Sequence, residues 1–450
     1  LFSNFTANIR ITIQENEPYL SKLQNTSEFS SKNQCILHAR EDSFRSTPPP
    51  HRIPRPPVAE AIEWRDRSIK TLKHNIITEY LRIKNFGPIV DIELDNIAPF
   101  TILIGESGSG KSTVMKVLSM FRWIYKRVVL RSYVRQANIR KTGLEIQMKI
   151  ILKTSQLNEY LKDDSEIIYR RGNYTISYTN GKLNAQADIP ANDLSLEKIC
   201  YISDKRSVIP DFLENQIEKK NANYYLQDTL DNFLLASGSI KQLPLDYLNV
   251  ELKIEKSSKG EKYMIKGTND NTCSLELRNS SSGTQTVTPL SLIVEYYAKK
   301  FDSQKSMNES LFKYLQDNDK LNLFNTTKNI GEISNKNVHL FIEEPELSLY
   351  PESQSQLIDF LIERCFMTEH PYNMTLMMAT HSPYIVNYIN VLIRRSEDSG
   401  RTFLRPEDVN VYEIFEGCAG ELKSLNGRAI IDTRSMSDPI TEMYSEFNSL

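Results

Sequence analysis

At 450 residues, 25% charged and 40% hydrophobic, the chain can bury two or three domains' worth of core and has an ordinary soluble-protein composition. Its formal net charge of −2 excludes binding to nucleic acid or anionic membrane through the field of the whole molecule, so any such contact must come from a local patch. There is no apolar run of the ~18 residues a membrane span needs, and no signal-peptide core at the N-terminus. The five cysteines (Cys35, Cys200, Cys273, Cys365 and Cys418) form no C-x-x-C pair, which argues against a zinc site and fits a reducing, cytoplasmic setting.

Residues 1–75 are rich in Ser, Asn, Thr and Pro, with PPPHRIPRPP at 48–57, and the expectation is a flexible arm. The chain begins at Leu1 and its first methionine is Met115. A non-AUG start, a truncation and non-native upstream residues are all open readings, and no function is drawn from the arm.

Three strands are predicted next, at 80–85, 90–94 and 100–104. The third, FTILI, runs into GESGSGKST, which fits G-x-x-x-x-G-K-[ST] with Gly105, Gly110, Lys111 and Ser112 at the fixed positions. A helical pattern follows at VMKVLSMFRWIYKR. Strand, glycine-rich turn and helix is the context this motif requires. Gly105, Gly108 and Gly110 let backbone N–H groups curl inward around phosphate oxygens, with Ser109 and Thr113 completing the loop. The helix start adds its positive end. Lys111 is expected on the β- and γ-phosphates and the Ser112 hydroxyl on Mg²⁺, so the chain is expected to bind ATP.

On the sequence LRIKNFGPI-x-D-x-x-L followed by x-x-LIG-x-x-GSGKST, the chain resembles the ATPase heads of the SMC, RecF and OLD group within the ABC superfamily. The resemblance spans about residues 78–450. It implies an α/β fold: an ABC-type head with a P-loop core sheet, a β-rich lobe and a short helical insertion. The expected divisions are 1–75 (arm), 76–142 (first part of the ATPase lobe), 143–280 (hairpins and insertion) and 281–450 (second part of the ATPase lobe).

Between residues 107 and 144 there is no acidic side chain, while Arg122, Lys126, Arg127, Arg131, Arg135, Arg140 and Lys141 all fall there. Positions 127, 131 and 135 share a helical face. That face reads either as a surface for DNA, retron msDNA or an acidic partner, or as a solvated face paired with acids elsewhere. Residues 143–190 are expected to be β-rich, from GLEIQMKIILKT through hairpins at Gly172-Asn173 and Asn180-Gly181. The strand in KICYISDKR ends in Y-I-x-x-x-R, where Arg206 falls at an arginine seen in OLD-like and Septu-like heads. The stretch 214–240 is expected to project as an arm, and a further hairpin turns at Lys259-Gly260.

Three motifs then complete the head. Ser282-Gly283-Thr284-Gln285 matches the S-G-x-Q signature, whose helix start caps a phosphate. In the family that phosphate belongs to ATP on the opposite subunit, which gives binding roles to Ser282, Gly283 and Gln285. In NVHLFIEEPELSLYP an apolar strand ends in a carboxylate pair, with Glu343 near Mg²⁺ and Glu344 polarising the attacking water. Most such ATPases carry Asp at the first position, whereas EEPE members of the OLD-like group carry Glu. In TLMMATHSPYIV, His381 resembles the switch histidine that touches the γ-phosphate. The closing 24 residues read as a short strand and a terminal helix. No TOPRIM-like acidic cluster or H-N-H pattern follows from the sequence. The resemblance is strongest to Septu-type (PtuA-like) ATPases of antiphage defence, some of them retron-associated, and implies an ATP-sandwich dimer and a separate HNH-type nuclease partner. A RecF-like DNA-repair ATPase is the alternative.

Overall fold

A computed structural model describes residues 77–214, 217–258, 260–268, 274–324, 330–399, 404–422, 431–433 and 442–448. The expected arm, 1–75, lies outside them. Of the expected closing strand and helix only 431–433 and 442–448 are described, the latter helical. All described residues belong to Asp66–Leu450, one of two compact units. Among them no helix is long and apolar enough to cross a membrane.

The elements run β1 Glu79–Phe86, β2 Ile89–Leu94, β3 Phe100–Ile104, α1 Lys111–Gln136, α2 Met148–Thr154, β4 Leu161–Arg171, β5 Tyr174–Thr179, β6 Lys182–Asn184 and β7 Ser195–Ile202. They continue with α3 Ile209–Leu213, α4 Tyr224–Ser239, β8 Gln242–Leu245, β9 Val250–Ser257, β10 Gly260–Gly267, β11 Ser274–Glu276, α5 Ser282–Lys299 and α6 Ser303–Asp317. The last are β12 Asn335–Glu343, α7 Pro351–Ile362, β13 Asn373–Thr380, α8 Pro383–Ser399, β14 Val409–Phe415 and β15 Cys418–Glu421.

The fold is α/β. An 11-stranded sheet has the order β6-β5-β4-β1-β2-β15-β14-β3-β13-β12-β7, and β8 to β11 form a separate antiparallel sheet of four strands. In the large sheet β14, β3, β13, β12 and β7 are mutually parallel, whereas β6 to β2 pair antiparallel. β15 joins the two halves through a single pair, Cys418 with Asp91. All five residues of β3 are buried, as expected of a parallel strand covered on both faces. One apolar core lies on the face of α1 and the other on the face of α4, α5, α7 and α8.

The hairpins form where turn chemistry marked them. Asn180 (φ 51) and Gly181 (φ 71) close β5–β6 with both central residues in the left-handed region, and β9 and β10 pair across Ser257 and Gly260. Other expectations are corrected. The run MKIILKT is helical (α2), because Met148 and Leu152 bury at a spacing of four rather than two. The stretch around α4 does not project. Its stripe of Tyr225, Leu226, Thr229, Leu230, Phe233 and Ala236 is buried against β7 and α5, with Asn223 capping the helix through Leu226 N at 2.8 Å. The pair β14–β15 was not anticipated, yet β14 lies directly beside β3.

For the basic residues on α1, the reading in which charges pair with acids elsewhere holds for Arg122 and Arg135. Arg122 is buried and forks onto the Glu79 carboxylate. Arg131 is buried and donates to the carbonyls of Ala185 and Ala187. Arg135 pairs with Asp188 at 2.6 Å. Arg127 is half-buried with its guanidinium 5.5 Å over the Trp123 ring, and burial, reinforced by Lys198, pushes Lys126 down to about 8. A helix without acids is stable here because Arg122, Arg131 and Arg135 find partners on β1 and at residues 185–188, while Arg135, Arg140 and Lys141 remain exposed.

Arg122 belongs to a polar cluster sealed inside the sheet. Arg171 donates to Glu79 at 2.8 Å and pairs with Glu197 at 3.1 Å. Tyr169 donates to Glu79 at 2.5 Å, and His339 lies 2.8 Å from both Glu197 and Thr375. Burial alone would raise Glu79, but Arg122 and Arg171 outweigh it and hold the carboxyl far below its ordinary range. Burial, with Arg122 adding repulsion, pushes His339 down to about 4.

Both shifts make the folded state resist protons that the unfolded chain accepts, so stability is full above the unfolded pKa and falls with pH. His339 acts between its ordinary 6.5 and about 4, and Glu79 acts below 4.5. Chemical denaturation from pH 8 to pH 4 is expected to show stability falling from about pH 6.5 downward. In His339→Gln the slope between 6.5 and 4.5 should flatten, and an unchanged slope there would remove His339 as its source.

Candidate nucleotide site

The parallel strands end side by side, and each end carries one motif. Ile104 pairs with Thr380, Ala379 with Glu343, and Ile342 with Ile202. Register therefore sets Gly105, His381, Glu344 and Ser203 along one rim, at the carboxyl ends of the strands where ligands bind in open α/β sheets.

The loop after β3 needs its glycines. Gly105 has φ 148, and a Cβ there would stand 2.2 Å from the Ile414 carbonyl of β14. Gly108 (φ 81) faces open space within 4 Å, which leaves room for phosphate oxygens. Gly110 (φ 113) starts α1, with Val114 N donating to its carbonyl at 3.0 Å and no side chain capping the end. The N–H groups of the first turn thus remain for whatever fills the loop. The Lys111 ammonium donates to the carbonyls of Gly105 (2.8 Å) and Glu106 (2.7 Å), and burial lowers its pKa against the pull of Glu344 and Glu346. Ser112 stands half-buried at the same helix end, Thr113 is buried beneath it, and the Ser109 hydroxyl is buried without a bond.

The carboxylate pair divides. Glu343 is buried, accepting from Tyr201 Oη (2.8 Å) and Asp204 N (3.4 Å), with the Lys116 ammonium 3.6 Å away. Glu344 turns outward at φ 42, its N–H held by Ala379 O at 2.8 Å, and its carboxylate lies 3.6 Å from His381 Nε2. Burial, with Glu346, Asp204 and Glu343 as like charges, raises the Glu344 carboxyl, and His381 only partly offsets this. A raised carboxylate beside a histidine suits a general base acting on water near neutral pH.

Glu346, which had no expected role, clamps the switch turn. Its Oε1 accepts from Thr380 Oγ1 (2.8 Å) and His381 N (2.7 Å), and its Oε2 is buried without a partner. The EEPE spacing was the available signal.

At the signature turn Ser281 caps α5 by accepting from Thr284 N, and Ser282 is left exposed at the helix start. Gln285 turns inward and donates to the carbonyls of Arg278 (2.6 Å) and Ser280 (2.9 Å), so it shapes the turn from behind. Gly283 lies against the carboxylate loop, where a Cβ would meet Ser348 O at 2.8 Å.

The residues fit ATP and Mg²⁺: an open glycine cradle, an ammonium already in the loop, a hydroxyl at the helix start and two carboxylates on the rim. No protein-family model matches the chain, and no curated protein matches it. Among solved structures it is similar to an SMC head domain from Thermotoga maritima, at 12% identity over 77% of this chain and 98% of that one, TM-score 0.29. It is also similar to an SMC head bound to the C-winged helix domain of ScpA (11%, 77% and 97%, TM-score 0.31). The recombination mediator RecF, in the RecFOR pathway, gives 11% identity over 78% and 100%, TM-score 0.30. Likenesses at these TM-scores carry no argument, and function rests on the geometry of the motifs.

Gly105→Ala places a Cβ against backbone in a conformation that L-residues rarely adopt, so it is expected to lose ~2 kcal/mol or more and to abolish nucleotide binding. Gly108→Ala meets no atom and should cost less. Thermal melts and titration with a fluorescent ATP analogue measure both, and a Gly105→Ala protein as stable as wild type would contradict the cradle.

Proposed function

We propose that this chain is an ATP-binding and ATP-hydrolysing head of the ABC/SMC type that dimerises around ATP. The observation that carries the reading is the meeting of Lys111, Glu344 and His381 on one rim, each delivered by the end of a different parallel strand. Gly105 to Thr113 wrap the phosphates, Lys111 leaves its loop carbonyls for the β- and γ-oxygens, and Glu344 takes a proton from the attacking water. His381 sits beside Glu344, where the γ-phosphate would end. Mg²⁺, held through Ser112, would supply Lewis-acid stabilisation of the developing phosphate charge. Glu343 contributes its charge from behind, because its oxygens are committed to Tyr201, Asp204 and Lys116. Ser282 and Gly283 of a second copy close over the nucleotide.

At the biological level the reading is an ATPase that holds and regulates a separate HNH-type nuclease in antiphage defence. It is supported by the Glu343-Glu344-Pro345-Glu346 and Thr380-His381-Ser382-Pro383 motifs, which look most like Septu-type members. The RecF-like alternative has less support, since Arg122 and Arg131 of its proposed DNA surface are buried and only Arg135, Arg140 and Lys141 of it are exposed.

Glu344→Gln keeps the shape of the side chain and removes the base. In light scattering it is expected to double in mass with ATP and Mg²⁺ and to return to the smaller species with ADP. In the wild type, kcat should rise with pH through the raised Glu344 pKa. A mass indifferent to nucleotide would argue against the sandwich, and ATP turnover retained by Glu344→Gln would exclude Glu344 as base.

A further inference from the structure

The side chain of Arg206 is wholly buried, yet it ends among backbone carbonyls from three separate segments. Its Nε donates to Thr286 O (3.0 Å) inside α5, behind the signature turn. One terminal nitrogen donates to Glu343 O (2.7 Å) and Ser203 O (3.2 Å), and the other to Glu344 O (2.6 Å). Residue 206 is 0% exposed. Burial pushes its pKa down to about 10, against the pull of Glu346 and Asp204, so the guanidinium is still charged at neutral pH. Burying a guanidinium is costly unless nearly every donor is used, and here four bonds run to carbonyls rather than to a carboxylate. A second link runs alongside: Thr286 Oγ1 donates to Leu347 O at 3.0 Å, and Gly283 packs on Ser348 O.

We infer that Arg206 is a positioning residue that fixes the backbone of Glu344 relative to the signature helix of the same chain. The inference rests on the reading of Glu344 as the base. Glu344 has φ 42, a conformation that a non-glycine residue holds only when its surroundings impose it. Its N–H is held by Ala379 and its carbonyl by Arg206, so the carboxylate direction is set from both sides. Because the same guanidinium grips Thr286, a load on Ser282 and Gly283 from nucleotide on a second copy has a direct path to Glu344 through this side chain, beside the Thr286–Leu347 link. A lysine offers a single ammonium and cannot span Thr286, Glu343 and Glu344 in the planar fork.

The test is a double-mutant cycle on single-turnover hydrolysis of radiolabelled ATP, using wild type, Arg206→Lys, Glu344→Gln and the double variant, with binding of a fluorescent ATP analogue measured on each. If Arg206 acts through Glu344, Arg206→Lys lowers the rate at least tenfold and leaves analogue affinity within about twofold. The double variant is then no slower than Glu344→Gln alone, because residues acting as a unit are not additive. A double variant slower than Glu344→Gln by the factor that Arg206→Lys costs on its own would overturn the inference, as would an Arg206→Lys enzyme with an unchanged rate. If Arg206→Lys does not fold at the assay temperature, Thr286→Val serves in its place: it removes the hydroxyl contacts to Leu347 and to the Ser282 and Gly283 carbonyls, leaves the Thr286 carbonyl on Arg206, and should show the same non-additivity with a smaller loss, and additive losses there overturn the inference equally. A wild-type chain that hydrolyses no ATP would sink the functional reading itself, an outcome distinct from additivity in an active enzyme.

Discussion

The parallel register of β3, β13, β12 and β7 is the constraint on which the site depends. A parallel ladder cannot slip by one residue without turning every buried side chain to the opposite face, and these strands are buried throughout their central residues. The register Ile104–Thr380, Ala379–Glu343 and Ile342–Ile202 is therefore held by the packing of both faces together with the ladder hydrogen bonds. Hydrophobic burial thus does the geometric work, and the polar residues that follow each strand inherit their mutual positions from it. This explains why the strand-end motifs need no contact with one another along the chain, although Gly105 and His381 are separated by more than half of it.

What register delivers, local backbone then refines. The turn after β12 holds two non-glycine residues at positive φ, Glu344 at 42 and Ser348 at 62, within five positions. Each such residue stores strain that only an over-determined surrounding can hold. The surroundings here are the Ala379 carbonyl, the Arg206 guanidinium, the Thr286 hydroxyl on Leu347 and the Glu346 clamp on the switch turn. Glu343, by contrast, continues β12 in regular extended form and buries its carboxylate against Tyr201. Adjacent glutamates acquire opposite environments because the chain turns between them.

The contiguous signals were legible. FTILI, the glycine loop and the helix behind it are neighbours in sequence, as are the Asn-Gly turns and the carboxylate pair, so spacing alone located them. What escaped were partners distant in sequence. Arg122 meets Glu79 across 43 residues and Arg131 meets Ala185 across 54, so spacing alone could not decide whether the α1 charges were a binding face or were paired within the chain. The same blindness made 214–240 look like a projecting arm, since the apolar stripe of α4 is diluted by Gln, Asp and Asn and its burial depends on β7 and α5. Arg206 stood in a recognisable Y-I-x-x-x-R pattern, but four bonds to backbone carbonyls carry no sequence signature at the receiving end.

The position of Lys111 bears on how the site meets its ligand. With its ammonium on the carbonyls of Gly105 and Glu106, the lysine neutralises dipoles that would otherwise repel one another inside the curled loop. Phosphate oxygens entering the cradle would exchange these carbonyls for a stronger, charge-assisted partner, while the N–H groups of the first turn of α1 gain acceptors they otherwise lack. The loop is held in its curled form by the Gly105–Ile414 approach and by Lys111 itself, so ordering it adds little to the cost of binding. The adaptable part of the site lies further along the same rim. There Glu344 and His381 stand 3.6 Å apart, too far for a hydrogen bond and close enough to be drawn together by a single water or phosphate oxygen between them.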